Sequence, residues 1–329
     1  MVDQIEEREA ARWNHRPATP LPQNPLFQWP PRPGAILRWY GAYWFEISTT
    51  TLCLGLAFLA WLLILPPLET MQTLAPGWIA RVWLANLVPQ CLIAGGLHYW
   101  LITRKAQGKS RKFDPRDQAT RSRQFTFNNQ VWDNIFWHVV SGITLWTLAQ
   151  VLIFWAMANG VAPVLYLPDN PLLYLAIFPL IPIWSSFHFY WIHRALHWPP
   201  LYRLAHSLHH RNVNVGPWSG IAMHPVEHLL FYTNFAIHLI VPSSPLHVMF
   251  HGYVQSTHPV FSHSGFEDLL VNETPQLRMG VYFHQLHHRY FECNYGTIEM
   301  PWDRWFGSYH DGSGQATEET KVRQRRMYS

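Results

Sequence analysis

The apolar residues of this chain fall in long unbroken blocks rather than in narrow stripes. Ile47 to Leu68, Val82 to Ile102, Asn134 to Pro168 and Asn170 to Ile192 contain no Asp, Glu, Lys or Arg. Each is long enough for the roughly 20 residues that a helix needs to cross a bilayer. In the third block the helix is expected from about Trp132 to Ala158, so the pattern predicts four spans within residues 47–192. A fifth uncharged block, Leu229 to Phe250, is interrupted by Pro242 and Pro245. It reads as an interfacial or re-entrant hairpin over 229–250, because a fifth crossing would put the histidines on either side of it on opposite faces of the membrane.

The polar segments frame these blocks. Residues 1–46 begin with a charged run (Glu6, Glu7, Arg8, Glu9, Arg12) and pass into a Pro-rich stretch from Pro17 to Pro33. This reads as a surface or disordered arm with little regular structure. No short basic region followed by an apolar core opens the chain, so no secretory signal is expected. Between the second and third spans, loop 104–131 carries Arg104, Lys105, Lys109, Arg111, Lys112, Arg116, Arg121 and Arg123 against Asp114 and Asp117. That excess of basic residues belongs on the cytoplasmic side. Two crossings on either side of it then bring the N-terminal arm, this loop and everything after Ile192 to the same face. Residues 311–329 read as a polar, disordered tail.

Composition sharpens the picture. Charged residues make up only 13% and aromatics 16% of the chain, with a net charge of +4. The basic residues flank apolar spans and do not interleave with stacking aromatics, which favours a membrane and excludes nucleic acid as a partner. Cys53, Cys91 and Cys293 are too scattered for a disulfide framework or a Cys-x-x-Cys site. Any metal must rely on histidine, with or without carboxylates.

Histidine is abundant, with 20 copies, and the pattern is specific. His193-x3-His197, His206-x2-His209-His210 and His284-x2-His287-His288 place imidazoles at i, i+3 and i+4 spacings, on one face of a helix. Neutral imidazole binds zinc, copper, iron and nickel. Three such clusters can surround more than one ion. Four further segments accompany them: Met223-His224-Pro225-Val226-Glu227, His263-Ser264-Gly265-Phe266, Asn294-Tyr295-Gly296 and Trp302-Asp303-Arg304-Trp305-Phe306-Gly307-Ser308-Tyr309.

Over about Ser185 to Tyr309 this ordered set resembles the fatty acid hydroxylase/sterol desaturase superfamily of membrane di-iron oxidases. The resemblance implies an all-α integral membrane protein with about four transmembrane helices, 47–192, and a cytoplasmic helical histidine-box cap, the di-metal catalytic domain of residues 193–310. It implies two iron ions, with O2 as co-substrate, and zinc as an occupant in vitro. The ligands would be His193, His197, His206, His209, His210, His284, His287 and His288, with His263 through its His-Ser-Gly context and His258 as a tenth. His224, Glu227 and Asp303 are candidates for holding ligand imidazoles from outside, Glu227 by accepting a ring N–H. Asp303 and Arg304 read equally as a salt-bridged turn. His188 and the aromatic run Trp184, Phe187, Phe189, Tyr190 and Trp191 are candidate pocket-lining residues. His228, His238, His247 and His251 read as structural or membrane-facing.

An unactivated lipid C–H bond resists acid, base and nucleophile, so the expected activity is O2-dependent hydroxylation or desaturation of a lipid. The His-Ser-Gly-Phe and His-Pro-Val-Glu segments lean towards a sterol-like substrate. No G-x-G-x-x-G, P-loop or His-Pro-Gly-Gly haem motif occurs, so electrons are expected from a separate cytochrome b5 or ferredoxin with its reductase. Two alternatives remain. A zinc-dependent membrane hydrolase lacks its His-Glu-x-x-His, and a metal transporter would place ligands at mid-membrane.

Overall fold

A computed structural model describes residue 7 and residues 9–328, with side chains up to residue 326. Glu6 and Arg8 of the initial charged run lie outside the described residues. The chain opens its helical part with α1, Pro33–Trp44, which turns by 40° into α2, Thr49–Leu63. Ser48 and Thr51 cap α2 reciprocally, satisfying two of the N–H groups that a helix start leaves bare. At 15 residues α2 is about 22 Å long, short of a bilayer core of about 30 Å. The first expected span, Ile47 to Leu68, is therefore at most half of a broken crossing shared with α1.

Three longer helices follow. Helix α3 is Pro76–Thr103, α4 is Gln130–Ala158 and α5 is Pro171–Leu196, and each is long and apolar enough to span. Helices α3 and α4 begin before their charge-free blocks, with Pro76 in the first turn of α3 and Asn129 capping α4. Helix α5 starts within its block, capped by Asn170 with Pro171 in the first turn, and runs past it to Leu196. Their outward faces are apolar and open: Leu92 is 70% and Leu172 83% exposed, as a lipid-facing row demands. Inward, polar groups pair across helices. Asn86 donates to Thr147 Oγ1 and Gln150 Oε1, at 3.0 and 2.8 Å, and Gln90 to the Ser256 carbonyl at 2.8 Å. Three helices and one bent pair make this an integral membrane architecture.

Beyond α5 the chain folds as a cap: α6 (residues 199–210), α7 (Pro225–Tyr232), α8 (Pro245–Ser256), α9 (His258–Ser262), the strands β1 (Asp268–Val271) and β2 (Thr274–Arg278), α10 (Tyr282–Tyr290), α11 (Trp302–Trp305) and α12 (Gly314–Tyr328). The two strands form one antiparallel hairpin whose turn residues, Asn272 and Glu273, both have positive φ. This small sheet is an addition to an otherwise helical chain.

Two expectations about the periphery differ from what is found, and a third is narrowed. The block 229–250 is helical on both sides of Pro242, and its second half enters α8, which is buried from Leu246 to Tyr253 and packs on α2, α4 and α5. That burial speaks against an interfacial position and not against a re-entrant one. Gly252 allows that approach, since a Cβ there would collide with Trp146 and Gln150. The N-terminal arm is not loose: Trp13 and Leu21 are buried with Phe113, Tyr282, Phe283 and Leu286 of the cap. The tail is not disordered either. It forms α12, with Thr317 and Thr320 buried. The basic loop also lies against the cap, where Arg289 meets Asp114 and Arg211 donates to the Gln124 carbonyl.

Candidate metal centre

Helix α5 runs past its apolar block to present His193, and His197 is the residue that caps its end. Trp198 is extended and Pro199 and Pro200 start α6, whose π-helical stretch Tyr202–His206 delivers His206 before His209 and His210. Helix α10 carries His284, His287 and His288, and His263 follows α9. All nine imidazoles are buried.

They sort into two groups. His193, His197, His206, His210 and His287 offer ring nitrogens all within 4.8 Å of one another, as do His209, His263, His284 and His288. Helical spacing explains the sorting. Members of each i, i+4 pair (His193 and His197, His206 and His210, His284 and His288) go to the same group, whereas His209 and His287 point to the other. Each His-x2-His-His box thus straddles both groups. The groups adjoin, with the His210 and His288 ring centroids 5.0 Å apart.

Hydrogen bonding shows what these nitrogens need. His263 Nε2 lies 3.1 Å from His288 Nε2 and 3.0 Å from His284 Nε2, and the last two are 3.1 Å apart. A hydrogen bond along an edge requires one nitrogen with a proton and one without. Three mutual neighbours cannot alternate in that way, so at least one edge faces lone pair to lone pair or proton to proton. His263 is fixed further, because its Nδ1 donates to the Pro259 carbonyl at 2.9 Å, leaving Nε2 as a bare lone pair. A cation about 2 Å from each nitrogen, the usual metal–imidazole distance, satisfies all three at once, since ligands at right angles are then about 3 Å apart. In the other group His193 and His287 donate from Nδ1 to the Tyr295 and Cys293 carbonyls, each at 2.6 Å. His287 Nε2 faces His210 Nε2 at 3.0 Å, and His193 Nε2 is buried with no partner among the described residues. The donor set fits two metal ions.

Electrostatics agree. Burial pushes His206 down to about 3 and His209 to about 4. Burial first, and neighbouring imidazoles second, hold His210, His284 and His288 well below the ordinary histidine range. Neutral rings are the metal-binding form.

A layer of partners orients the rings. Glu227 accepts from His206 Nδ1 at 2.8 Å, as expected. Glu292, which sequence reasoning missed, faces His197 Nδ1 at 3.3 Å and accepts from the Tyr295 hydroxyl at 2.6 Å. A lone carboxylate four residues beyond a histidine box carries no distinguishing signal. Asp303 touches no ligand ring. It accepts from the Tyr295 and Gly296 N–H groups, each at 2.8 Å, and from the Ser308 hydroxyl, fixing the turn whose carbonyl holds His193. Arg304 stacks over Tyr309 instead of pairing with Asp303 in a salt bridge. His224 also touches no ligand: its Nδ1 accepts from Val226 N–H at the start of α7.

His258 is brought into neither group. It lines an adjoining cavity of about 1070 Å³, part of it open, whose wall also includes His193, His209, Phe189, Met223 and Phe231. Of the aromatic run only Phe189 reaches this cavity, and His188 instead bonds Thr233. His228, His238, His247 and His251 are buried and hydrogen-bonded within the protein, none facing lipid.

Residues 178–308 match the model of the fatty acid hydroxylase family, a stretch that contains all nine histidines. Over that stretch the chain is similar to the fatty acid hydroxylase/sterol desaturase superfamily. It is 33% identical over 145 residues to a Delta(7)-sterol 5(6)-desaturase of Aspergillus fumigatus, covering 43% of this chain and 40% of that protein. To the Candida albicans Delta(7)-sterol 5(6)-desaturase it is 31% identical over 199 residues, 55% of this chain and 49% of the relative. The chain thus spans less than half the length of these curated relatives. No solved structure matches it.

Proposed function

We propose that this chain is a membrane-bound di-iron oxidase that hydroxylates or desaturates a sterol-like lipid. The observation that carries the reading is the His263, His284 and His288 triangle, which protons cannot satisfy and a cation can. Bound iron would supply the redox chemistry through which O2 is reduced. Hydroxylation consumes the C–H bond, O2, two electrons and two protons, giving an alcohol and water. Desaturation takes two hydrogens from the lipid with the same electrons and protons, giving an alkene and two waters. On this reading a donor of the cytochrome b5 or ferredoxin type, with its reductase, provides the electrons.

The protein's own part is positioning. His193, His197, His206, His210 and His287 hold one ion, and His209, His263, His284 and His288 the other. Glu227, Glu292 and the Tyr295, Cys293 and Pro259 carbonyls keep the rings aimed. The largely apolar cavity excludes bulk water and aligns the lipid beside the histidines. The excess of basic residues in loop 104–131, which packs against this cap, supports a site on the cytoplasmic face.

The test is direct. The full chain, loaded anaerobically with ferrous iron in lipid nanodiscs, receives a Δ7 sterol, a reductant and O2, and sterols are then read by mass spectrometry. A product lighter by two hydrogens or heavier by one oxygen is expected, and neither appears with His209→Ala. Turnover undiminished in that variant sinks the assignment.

A further inference from the structure

The cavity beside the histidines is apolar along most of its wall, and among the polar side chains that line it outside the two metal groups are Glu299, His258 and Gln255. Neither the Glu299 carboxylate nor the His258 ring has a hydrogen-bond partner among the described residues; Glu299 is bonded only through its backbone carbonyl, by Asn24. Gln255 is 4% exposed. Its Oε1 accepts from Asn234, and its Nε2 is buried and unpartnered. Burial lowers the proton affinity of His258 while the Glu299 carboxylate raises it. Unserved polar groups in such a setting cost stability unless something that enters the cavity serves them.

We infer that Glu299, His258 and Gln255 form the recognition site for a hydroxyl group on the lipid substrate. This rests on reading the cavity as the lipid site. The chemistry selects an alcohol over the other common lipid head groups. Glu299 can only accept, Gln255 Nε2 can only donate, and the His258 ring offers a donor and an acceptor. A hydroxyl both donates and accepts, so it bonds the carboxylate and an N–H at once. An ether or ester only accepts and leaves Glu299 bare. An ammonium only donates and leaves the N–H groups bare, and a carboxylate is repelled by Glu299. These three residues are positioning and specificity groups: they fix one end of the lipid and so decide which carbon lies beside the histidines.

The experiment uses the full iron-loaded chain in nanodiscs and measures anaerobic binding of two matched pairs. One is cholest-7-en-3β-ol with its 3-methyl ether, and the other is octadecan-1-ol with its methyl ether. In at least one pair the alcohol should bind about 10- to 100-fold more tightly than the ether, the range expected for a charge-assisted hydrogen bond in an apolar site. Glu299→Gln and His258→Phe should each narrow that gap at least several-fold while the iron content stays at the wild-type level. The comparison within the wild-type protein needs no variant to fold. Equal binding of alcohol and ether in both pairs overturns the inference, as does a gap that both variants preserve. Adding O2 and reductant separates the two readings. An alcohol that is preferred yet never oxidised refutes the oxidase function and leaves the recognition site standing, whereas an ether oxidised as fast as its alcohol does the reverse.

Discussion

Neighbouring histidines do different work in this protein. His209 and His210 are adjacent in sequence, yet a helix turns 100° between them and their nitrogens fall in different groups. His209→Ala should therefore empty one ion site and spare the other, lowering bound metal from two ions to one. His210→Ala should weaken the other site, where four histidines remain. Elemental analysis of the purified variants decides this, and loss of both ions in both variants would mean a single shared site. The partners behind the rings are open to a similar test. Glu227→Ala removes the acceptor that fixes His206 and should weaken metal retention by about 10- to 100-fold, read as faster release to a chelator. Protons compete for the same nitrogens. His206 and His209 have folded-state values of about 3 and 4, below the value near 6.5 of an unfolded chain. Below pH 6.5 the unfolded chain therefore binds protons that the folded chain refuses. Stability and metal retention should hold above that pH and fall steadily between pH 6.5 and 4, as pH-jump chelator release would show. A flat profile across that window would exclude these imidazoles as the ligands.

At the scale of elements, legibility followed chemistry more than hydropathy. The histidine boxes were readable because metal ligation constrains both residue type and i, i+4 spacing, so nine of the ten expected ligands come together and only His258 stands apart. The long spans α3, α4 and α5 were readable because lipid permits no charge over some 20 residues. The same rule left two readings open at 229–250. Absence of charge reports a dry environment, and helix α8 is dry because protein surrounds it. Pro242 and Pro245 marked helix ends correctly, since Pro245 starts α8, but could not say what covers the helix. The first span was overestimated for a related reason, as absence of charge from Ile47 to Leu68 does not report helix length, and α2 covers only Thr49–Leu63 of that block. The interior position of α8 makes a prediction of its own. Gly252→Leu would drive a side chain into Trp146 and Gln150 and should destabilise the fold by about 1–3 kcal/mol or more, typical of overpacking. The thermal midpoint in detergent should fall, together with the yield of monodisperse protein. An unchanged midpoint would mean that α8 is not packed against α4.

Across the whole molecule, segments far apart in sequence converge behind α10, the helix that serves both metal groups. The arm contributes Trp13, which lies under the Arg289 guanidinium at 3.6 Å, and Glu9, which accepts from the Tyr290 hydroxyl. The basic loop contributes Asp114, paired with Arg289 at 2.8 Å. The tail contributes Arg323, which donates to the Glu292 carbonyl at 2.8 Å, on the residue whose carboxylate faces His197. None of these contacts was visible in sequence, because arm and tail look like solvated, low-hydropathy chain and their few apolar residues have no period. Their packing implies that the termini help hold the centre. A chain ending at Gly312 loses α12 and the Arg323 contact but keeps every histidine. It should still insert and bind metal, yet release the ion held by His197 faster than the full chain, by about tenfold if Glu292 loses its alignment. Replacing Arg323 alone with Ala should reproduce part of that acceleration. If the shortened chain and the full chain release both ions at the same rates, α12 is a passenger and the Glu292 loop holds itself.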